Sequence, residues 1–304
     1  HSDATKIFSR HTVKFGGEYR KQLLNFLQLG APSGQFSFDA RWTQANPVAA
    51  SATAGYSLAS MLLGVATSGG MTHEPVPAQS SSYWAGYIQD DYKVSRRLTI
   101  NLGLRYDVDV PRTERYNQLS YFDITAPSPL AGKVATYPNL VGAMRFTSPD
   151  HRHQTPTDLN NLAPRFGFAL TLGPKTVFRG GYGILYGASV MQASGSTGNA
   201  GLEGYRSATA YIGTLDNRTP ITTISNPFVF GYSLPMGRSD GPYSGASTNL
   251  GLSIGESYFL DYVNPVIQQW NATLQHQLPG NLMVEAGYVA SKGNHLVEIG
   301  RAHV

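Results

Sequence analysis

The chain has 304 residues, carries a formal net charge of +4 and contains no cysteine. The absence of cysteine excludes a disulfide framework and a cysteine-based zinc or redox site. Charged residues make up only 14% of the chain, whereas about 25% is usual in a soluble domain. The cations are scattered rather than gathered into a basic stripe, so we expect no nucleic-acid partner. The longest apolar run, residues 58–66, is about half as long as a membrane-spanning helix requires.

Alternation of apolar and polar residues with a period of two predicts about eight β-strands. In chain order they are 4–8, which is partial, 12–23, 83–94, 97–110, 165–172, 176–186, 268–278 and 282–290. Such alternation gives each strand one apolar and one polar face. An apolar face toward lipid and a polar face toward a lumen would indicate a membrane β-barrel.

The alternation in residues 97–110 is sustained over about thirteen residues, although ordinary strands run about five or six. A tilted strand that crosses a bilayer needs about nine to eleven residues. The segment therefore favours a membrane β-barrel, but by itself it fits a long strand of a soluble sandwich or barrel equally well.

The connections between the predicted strands alternate between short and long. Tight turns are predicted at 9–11, 94–97, 173–175 and 279–281, and long connections at 25–82, 111–164 and 187–265. The first long connection also contains a predicted strand at 35–42 and a short helix at 58–63. Outer-membrane barrels have short periplasmic turns and long extracellular loops, whereas compact soluble domains rarely hold three such loops. We therefore predict an all-β, antiparallel, up-and-down transmembrane β-barrel fragment, open and located in the bacterial outer membrane.

Residues 83–107, YWAGYIQDDYKVSRRLTINLGLRYD, resemble a signature hairpin of TonB-dependent outer-membrane receptors, in particular of the Oar-like group. Further matches occur in that family's order: HTVKFGGEYR at 11–20, NLAPRFGFA at 161–169, KTVFRGGYGILY at 175–186, QQWNATLQHQLPGN at 268–281 and GYVASKG at 287–293. The resemblance implies a barrel of about 22 strands with a plugged lumen. It also implies a plug domain and a TonB box in a missing N-terminal region, and energy-coupled passage of an unknown bulky ligand captured by the extracellular loops.

Two sets of residues are candidates for roles in such a barrel. Lumen-facing polar residues, which would hydrogen-bond and pair with a plug, are Asn101, Arg105, Asp107, Arg165, Arg179 and Glu285. Aromatic residues that would form girdles at the two membrane interfaces are Trp84, Tyr92, Tyr106, Tyr186, Trp270 and Tyr288.

No residue pattern indicates catalysis, so we expect a protein that is not an enzyme and has no cofactor or metal. The chain lacks the H-E-x-x-H and P-loop motifs. The pair His151 and His153 has no third ligand at a convincing spacing. Two other functions stay open: a non-transporting adhesion or structural barrel of the outer membrane, and a soluble all-β carbohydrate-binding domain.

The two ends predict that the barrel is partial. The chain opens at His1 without a signal sequence, which fits a processed or an internal start. Residues 298–304, EIGRAHV, match the translation of a widely used sequencing adapter. We therefore expect residues 1–297 to be part of a barrel and 298–304 to be an artefact.

Overall fold

The structure is a computed structural model that describes residues 1–25, 27, 29–49, 51, 53–133, 135–187, 201–239 and 263–296. Its strands are β1 (Ser2–Phe8), β2 (His11–Asn25), β3 (Gln35–Ser37), β4 (Ser68–His73), β5 (Ala78–Lys93), β6 (Leu98–Glu114), β7 (Ser120–Pro127), β8 (Val141–Phe146), β9 (Leu162–Gly173), β10 (Thr176–Tyr186), β11 (Ser207–Ala210), β12 (Val266–Gln277) and β13 (Met283–Asn294). One short helix, α1, spans Ser57–Leu62. Within the described ranges, no helix is long and apolar enough to cross a membrane.

Eight strands form one antiparallel sheet in the order β1-β2-β5-β6-β9-β10-β12-β13. These eight coincide with the eight predicted strands, so the all-β, up-and-down prediction is confirmed. Short turns join them in pairs. At one turn the hydroxyl of Ser95 accepts the backbone N–H groups of Arg97 and Leu98, each at 3.1 Å. At another, Gly280 and Asn281 adopt positive φ angles of 80° and 61°, which these two residue types tolerate best.

The strands are long and the sheet is open. β5 has 16 residues and β6 has 17, so both exceed the length that a tilted strand needs to cross a bilayer, about nine to eleven residues. Among the described strands, β1 and β13 each pair with one neighbour only. The sheet therefore presents two unpaired edges rather than a closed cylinder.

The strand register gives the sheet one apolar and one polar face. The apolar face contains rows such as Phe15, Ile88 and Leu104, which lie opposite one another on β2, β5 and β6. The polar face contains the alternate rows, for example Asp91 opposite Asn101. Phe15 is 49% exposed and Ile88 is 53% exposed. Among the described residues, the apolar face thus has no protein core packed against it, unlike one face of a soluble sheet.

The long connections fold against one another. β11, β4 and β3 form a three-stranded sheet, and β7 and β8 form a two-stranded one. Because β3 and β4 lie in the first connection and β11 in the third, the small sheet joins these two. The predicted strand at 35–42 is only partly right, since β3 ends at Ser37 and residues Arg41–Thr43 form a 3-10 turn. The predicted helix at 58–63 is present as α1.

Candidate functional site

The centre of the polar face is a cross-strand network around Arg105. The Nε atom of Arg105 lies 2.8 Å from Asp107 Oδ1, and its Nη2 atom lies 3.2 Å from Glu18 Oε2 and donates to the Tyr83 hydroxyl at 2.8 Å. Tyr83 in turn donates to Asp107. β2, β5 and β6 each contribute to the network. One guanidinium group thereby joins two carboxylates. The Nε atom of Arg20 lies 3.0 Å from Glu18 Oε1, so two guanidinium groups compensate the two carboxylates.

The network extends across the neighbouring positions of the polar face. Asn101 donates to Asp91 Oδ1 at 2.6 Å, and Arg20 lies 4.2 Å from the centroid of the Tyr83 ring. Beside the network the sheet forms a concave pocket of about 420 Å³, whose polar lining includes Lys14, Glu18, Gln89, Arg105 and Arg165. The polar face is therefore a concave, hydrogen-bonded wall.

The structure places the six predicted lumen-facing residues on this one face. It brings Asn101, Arg105 and Asp107 into the hydrogen-bonded region described above. Arg165 and Arg179 lie farther along the sheet, Arg165 opposite Gly103 and Arg179 opposite Thr273. Glu285 lies opposite Gln275 and accepts its amide hydrogen.

Sequence reasoning missed three members of the network. Glu18, Tyr83 and Asp91 each fall on a predicted polar face, but nothing in the sequence indicated that they meet Arg105 or Asn101. The contact of Glu18 depends on the register of β2 with β5, which the long first connection separates. The contacts of Tyr83 and Asp91 lie within the β5–β6 hairpin and follow from the register at its short turn. A turn sets the register only between strands that it joins directly.

All six predicted girdle aromatics lie on the apolar face. Tyr92 is next to a short turn, and four others lie about seven to ten residues from the nearest turn, or roughly 18–26 Å for a strand tilted by about 40°. This separation matches an apolar band about 25 Å tall. Tyr288 is different, because it lies about midway along β13. The four aromatic residues that lie about seven to ten residues from the nearest turn are Trp84, Tyr106, Tyr186 and Trp270.

Polar residues on the apolar face lie toward its edges. Asp90 lies three residues from the end of β5, and its Oδ2 atom is 2.7 Å from His11 Nδ1. The His11 ring stacks on Tyr92 with centroids 4.2 Å apart. Lys21 lies opposite Ser82, ten residues from the start of β2. Asp90 and Lys21, the polar residues that interrupt the apolar face, therefore mark the ends of the apolar band.

The long loops contain a tightly packed core, which we call the loop core and define as Leu119, Ser120, Thr147, Gln154 and Leu202. Leu119 and Leu202 are fully buried, and Gln154 is 1% exposed. The Gln154 amide donates to the Ser120 carbonyl at 2.6 Å. Thr147 donates its backbone N–H to the Leu119 carbonyl at 2.9 Å. The loop core joins the second and third long connections, since Leu202 lies in the third.

The polar face runs into the loop core at its extracellular end. Arg112 donates from Nη1 to Gln79 at 2.9 Å and from Nε to Gln154 at 3.2 Å. Glu114 accepts the backbone N–H groups of Tyr116 at 2.6 Å and Gln118 at 2.9 Å. Both Arg112 and Glu114 are buried. The loops thus cover the extracellular end of the polar face of β6.

Four groups in the loops have shifted pKa values, among them Asp216, whose pKa is lowered mainly by hydrogen bonds from the backbone N–H groups of Thr219 and Arg218. A hydrogen bond from the Thr125 hydroxyl is the main cause that lowers the pKa of Asp123, and the backbone N–H groups of Thr125 and Ala126 add to it. Burial raises the pKa of Tyr121 and of Tyr205. The pKa of Asp123 is lowered because hydrogen-bond donors stabilise its carboxylate.

The two loop histidines make separate contacts. The Nδ1 atom of His153 lies 2.9 Å from the Pro111 carbonyl. The His151 ring lies 5.8 Å from the Tyr121 ring. Each of the two histidines therefore contacts a different residue.

Comparison with protein families identifies the family to which the chain belongs. The family model for the outer membrane beta barrel domain matches residues 1–302. The chain belongs to this family. A search of curated proteins found no match. As an outer membrane beta barrel domain, the chain is located in the bacterial outer membrane, where an apolar sheet face contacts lipid. A soluble carbohydrate-binding domain does not fit that location. Residues 298–304, expected to be an artefact, lie outside the described residues.

Proposed function

We propose that this barrel domain is part of a TonB-dependent, Oar-like receptor that passes a bulky solute through the outer membrane with energy from the inner membrane. No catalytic step and no cofactor is involved. The observation that carries the proposal is the polar face, where Arg105 joins Glu18, Tyr83 and Asp107 across three strands. Such a compensated wall suits contact with a protein that fills the lumen better than contact with a wide water-filled channel.

The proposal assigns a partner to each part of the domain. The apolar face contacts outer-membrane lipid. The polar face contacts a plug domain, which a region upstream of His1 would supply together with a TonB box. The joined extracellular loops capture the bulky ligand. The resemblance of residues 83–107 to the receptor hairpin supports the plug, and the loop core supports a preformed ligand surface because it fixes two loops against each other.

The test uses the complete reading frame that contains this chain. We expect it to encode a lumen-sized domain and a TonB box before His1. We also expect the purified protein in micelles to retain the periplasmic domain of TonB, and a version with the box deleted to lose it. A reading frame without both parts would contradict transport.

A non-transporting adhesion barrel is the second candidate. The observation that favours it is the exposure of large aromatic side chains on the loops, among them Tyr116 and Tyr137, each 63% exposed. Such side chains are typical of surfaces that bind partners. Adhesion predicts binding of cells or surfaces that does not change when TonB is absent, whereas receptor activity requires TonB.

A further inference from the structure

Four glycines lie around Arg165 on the polar face, on three neighbouring strands. Gly103 of β6 is opposite Arg165 of β9, which is opposite Gly183 of β10. In the next row, Gly167 of β9 is opposite Gly181 of β10. We call this patch the glycine floor and define it as Gly103, Gly167, Gly181 and Gly183. Arg165 lies between Gly103 and Gly183, Arg179 lies one row beyond Gly181, and the row between the two arginines contains Gly167 and Gly181.

Packing within the chain does not require these glycines. A Cβ atom would lie no closer than 3.5 Å to another atom at Gly103, Gly167 and Gly183, and 3.4 Å at Gly181, which are ordinary van der Waals distances. None of the four has a positive φ angle. Gly180, on the apolar face of the same strand, differs because a Cβ there would lie 2.7 Å from the Phe168 ring. Contacts within the sheet therefore explain why residue 180 is a glycine, but they do not explain the four glycines of the glycine floor.

Glycine inside a strand has a cost, since it is less favourable than alanine by roughly 0.5–1 kcal/mol per residue. Four such residues in one patch indicate that something outside the sheet approaches its backbone closely. A bulky side chain at any of the four positions would hold that neighbour away.

The charges around the floor indicate what the neighbour is. Across the described part of the chain, Arg165 and Arg179 form neither an ion pair nor a hydrogen bond, whereas Arg105 has three acceptors. Guanidinium groups pair with carboxylates in a bidentate geometry. Two unpaired guanidinium groups beside a bare backbone surface match a polypeptide segment that carries carboxylates.

We infer that the glycine floor is the docking surface for a carboxylate-bearing polypeptide segment whose backbone lies against β9 and β10, held by Arg165 and Arg179. The inference rests on the proposed function in one respect, since the segment belongs to the protein that fills the lumen. It goes beyond that proposal because it assigns the contact to one patch of the wall and to one chemistry.

The test is thiol labelling, because this chain has no cysteine, and any cysteine elsewhere in the reading frame is first replaced by serine. The complete reading frame is expressed in outer membranes with Ala169→Cys, which lies on the polar face opposite Arg179. The rate of modification by an impermeant maleimide is compared with that of Leu215→Cys in an exposed loop. We expect labelling at least about tenfold slower at Ala169→Cys, because docking must open first. Equal rates would overturn the inference.

Second substitutions then identify the contact. Adding Gly181→Ala, or Arg165→Glu together with Arg179→Glu, should raise the labelling rate of Ala169→Cys about tenfold toward the exposed rate. Gly86→Ala is the matched control, because Gly86 lies on the apolar face with no atom within 4 Å of a Cβ there. A protected thiol that none of the polar-face variants exposes would contradict the inference.

Folding is followed for every variant by heat-modifiable migration. If Gly181→Ala loses the folded band, the glycine serves strand curvature, and the charge-reversal variant then decides about docking by itself. Failure of the proposed function is separate: it would appear as a reading frame with neither plug nor TonB box, whatever the labelling shows.

Discussion

The eight-stranded sheet and the loop core are stabilised in opposite ways. On the sheet, large apolar residues such as Phe15 and Ile88 are about half exposed, so water would contact them if lipid did not. In the loops, Leu119 and Leu202 are fully buried beside a buried, hydrogen-bonded Gln154. The sheet therefore depends on its surroundings, whereas the loop core provides its own apolar interior.

This difference explains how one chain can have a mean hydropathy of only −0.22 and yet belong in a membrane. Only alternate residues of a barrel strand contact lipid, so the apolar residues are diluted by the polar face. The loops add polar residues of their own around a small core. The two regions should respond differently to substitution, which leads to four predictions.

The largest effect is expected in the loop core. Leu119→Ala removes a fully buried side chain and should cost about 3–5 kcal/mol of local stability, because a cavity is left. Limited proteolysis should then cut the second and third extracellular loops much faster while the sheet remains protected. Leu215→Ala, at a side chain that is 73% exposed, is the control and should change nothing. Simultaneous loss of the sheet would mean that the two regions are not independent.

A charge on the apolar face should have the next largest effect. Leu104→Lys, six residues into β6, should destabilise the folded domain in micelles or bilayers by about 2–4 kcal/mol, since the cation would lie near the middle of the membrane. Denaturant titration in lipid measures it. Asn101→Lys on the polar face of the same strand should cost much less, and an equal cost would contradict the assignment of faces.

The hydrogen bonds of Gln154 should contribute less than the burial of Leu119. Gln154→Ala leaves the Ser120 carbonyl and the Arg112 Nε group without this partner, at a cost of about 1–3 kcal/mol. Hydrogen exchange should increase in the loops only. Gln277→Ala, at an exposed position beside a short turn, provides the comparison. No change at Gln154→Ala would show that water replaces the amide.

The smallest effect concerns pH. The pKa of Asp123 is lower in the folded chain, so its contribution is present above the ordinary value of 3.8 and is lost as the pH falls toward the folded value. The protection factors of the β7–β8 amides, which are corrected for the slower intrinsic exchange in acid, should therefore fall as the pH is lowered. Asp123→Asn should weaken this pH dependence while leaving that of the sheet unchanged. An identical acid response in both proteins would show that Asp123 is not its source.

The sequence predicted the strands well where a long alternation is bounded by turn residues. β10 begins and ends where its alternation does, at Thr176 and Tyr186. β4, β7, β8 and β11 were not predicted, because these short strands pair within loops and lack a sustained period. β11 is only four residues long and pairs with β4, far away in the sequence.

The candidate site was predictable by face but not by contact. Period two assigned Arg105 and Asp107 to the polar face, and the structure gives them that position. Their network with Glu18 required the register between β2 and β5, which no short turn defines. The glycine floor was invisible for the same reason, since Gly103, Gly167 and Gly181 become neighbours only when β6, β9 and β10 are aligned.

The two faces of the sheet meet different surroundings, lipid on one side and the barrel interior on the other. A nitroxide scan through residues 98–110 in bilayers tests this difference directly, because oxygen is concentrated in lipid and the chain has no competing cysteine. We expect the collision rate with oxygen to alternate with a period of two, high at every even position from Leu98 to Val110 and low at every odd one. Absence of alternation, or maxima at Asn101, Arg105 and Asp107, would contradict it.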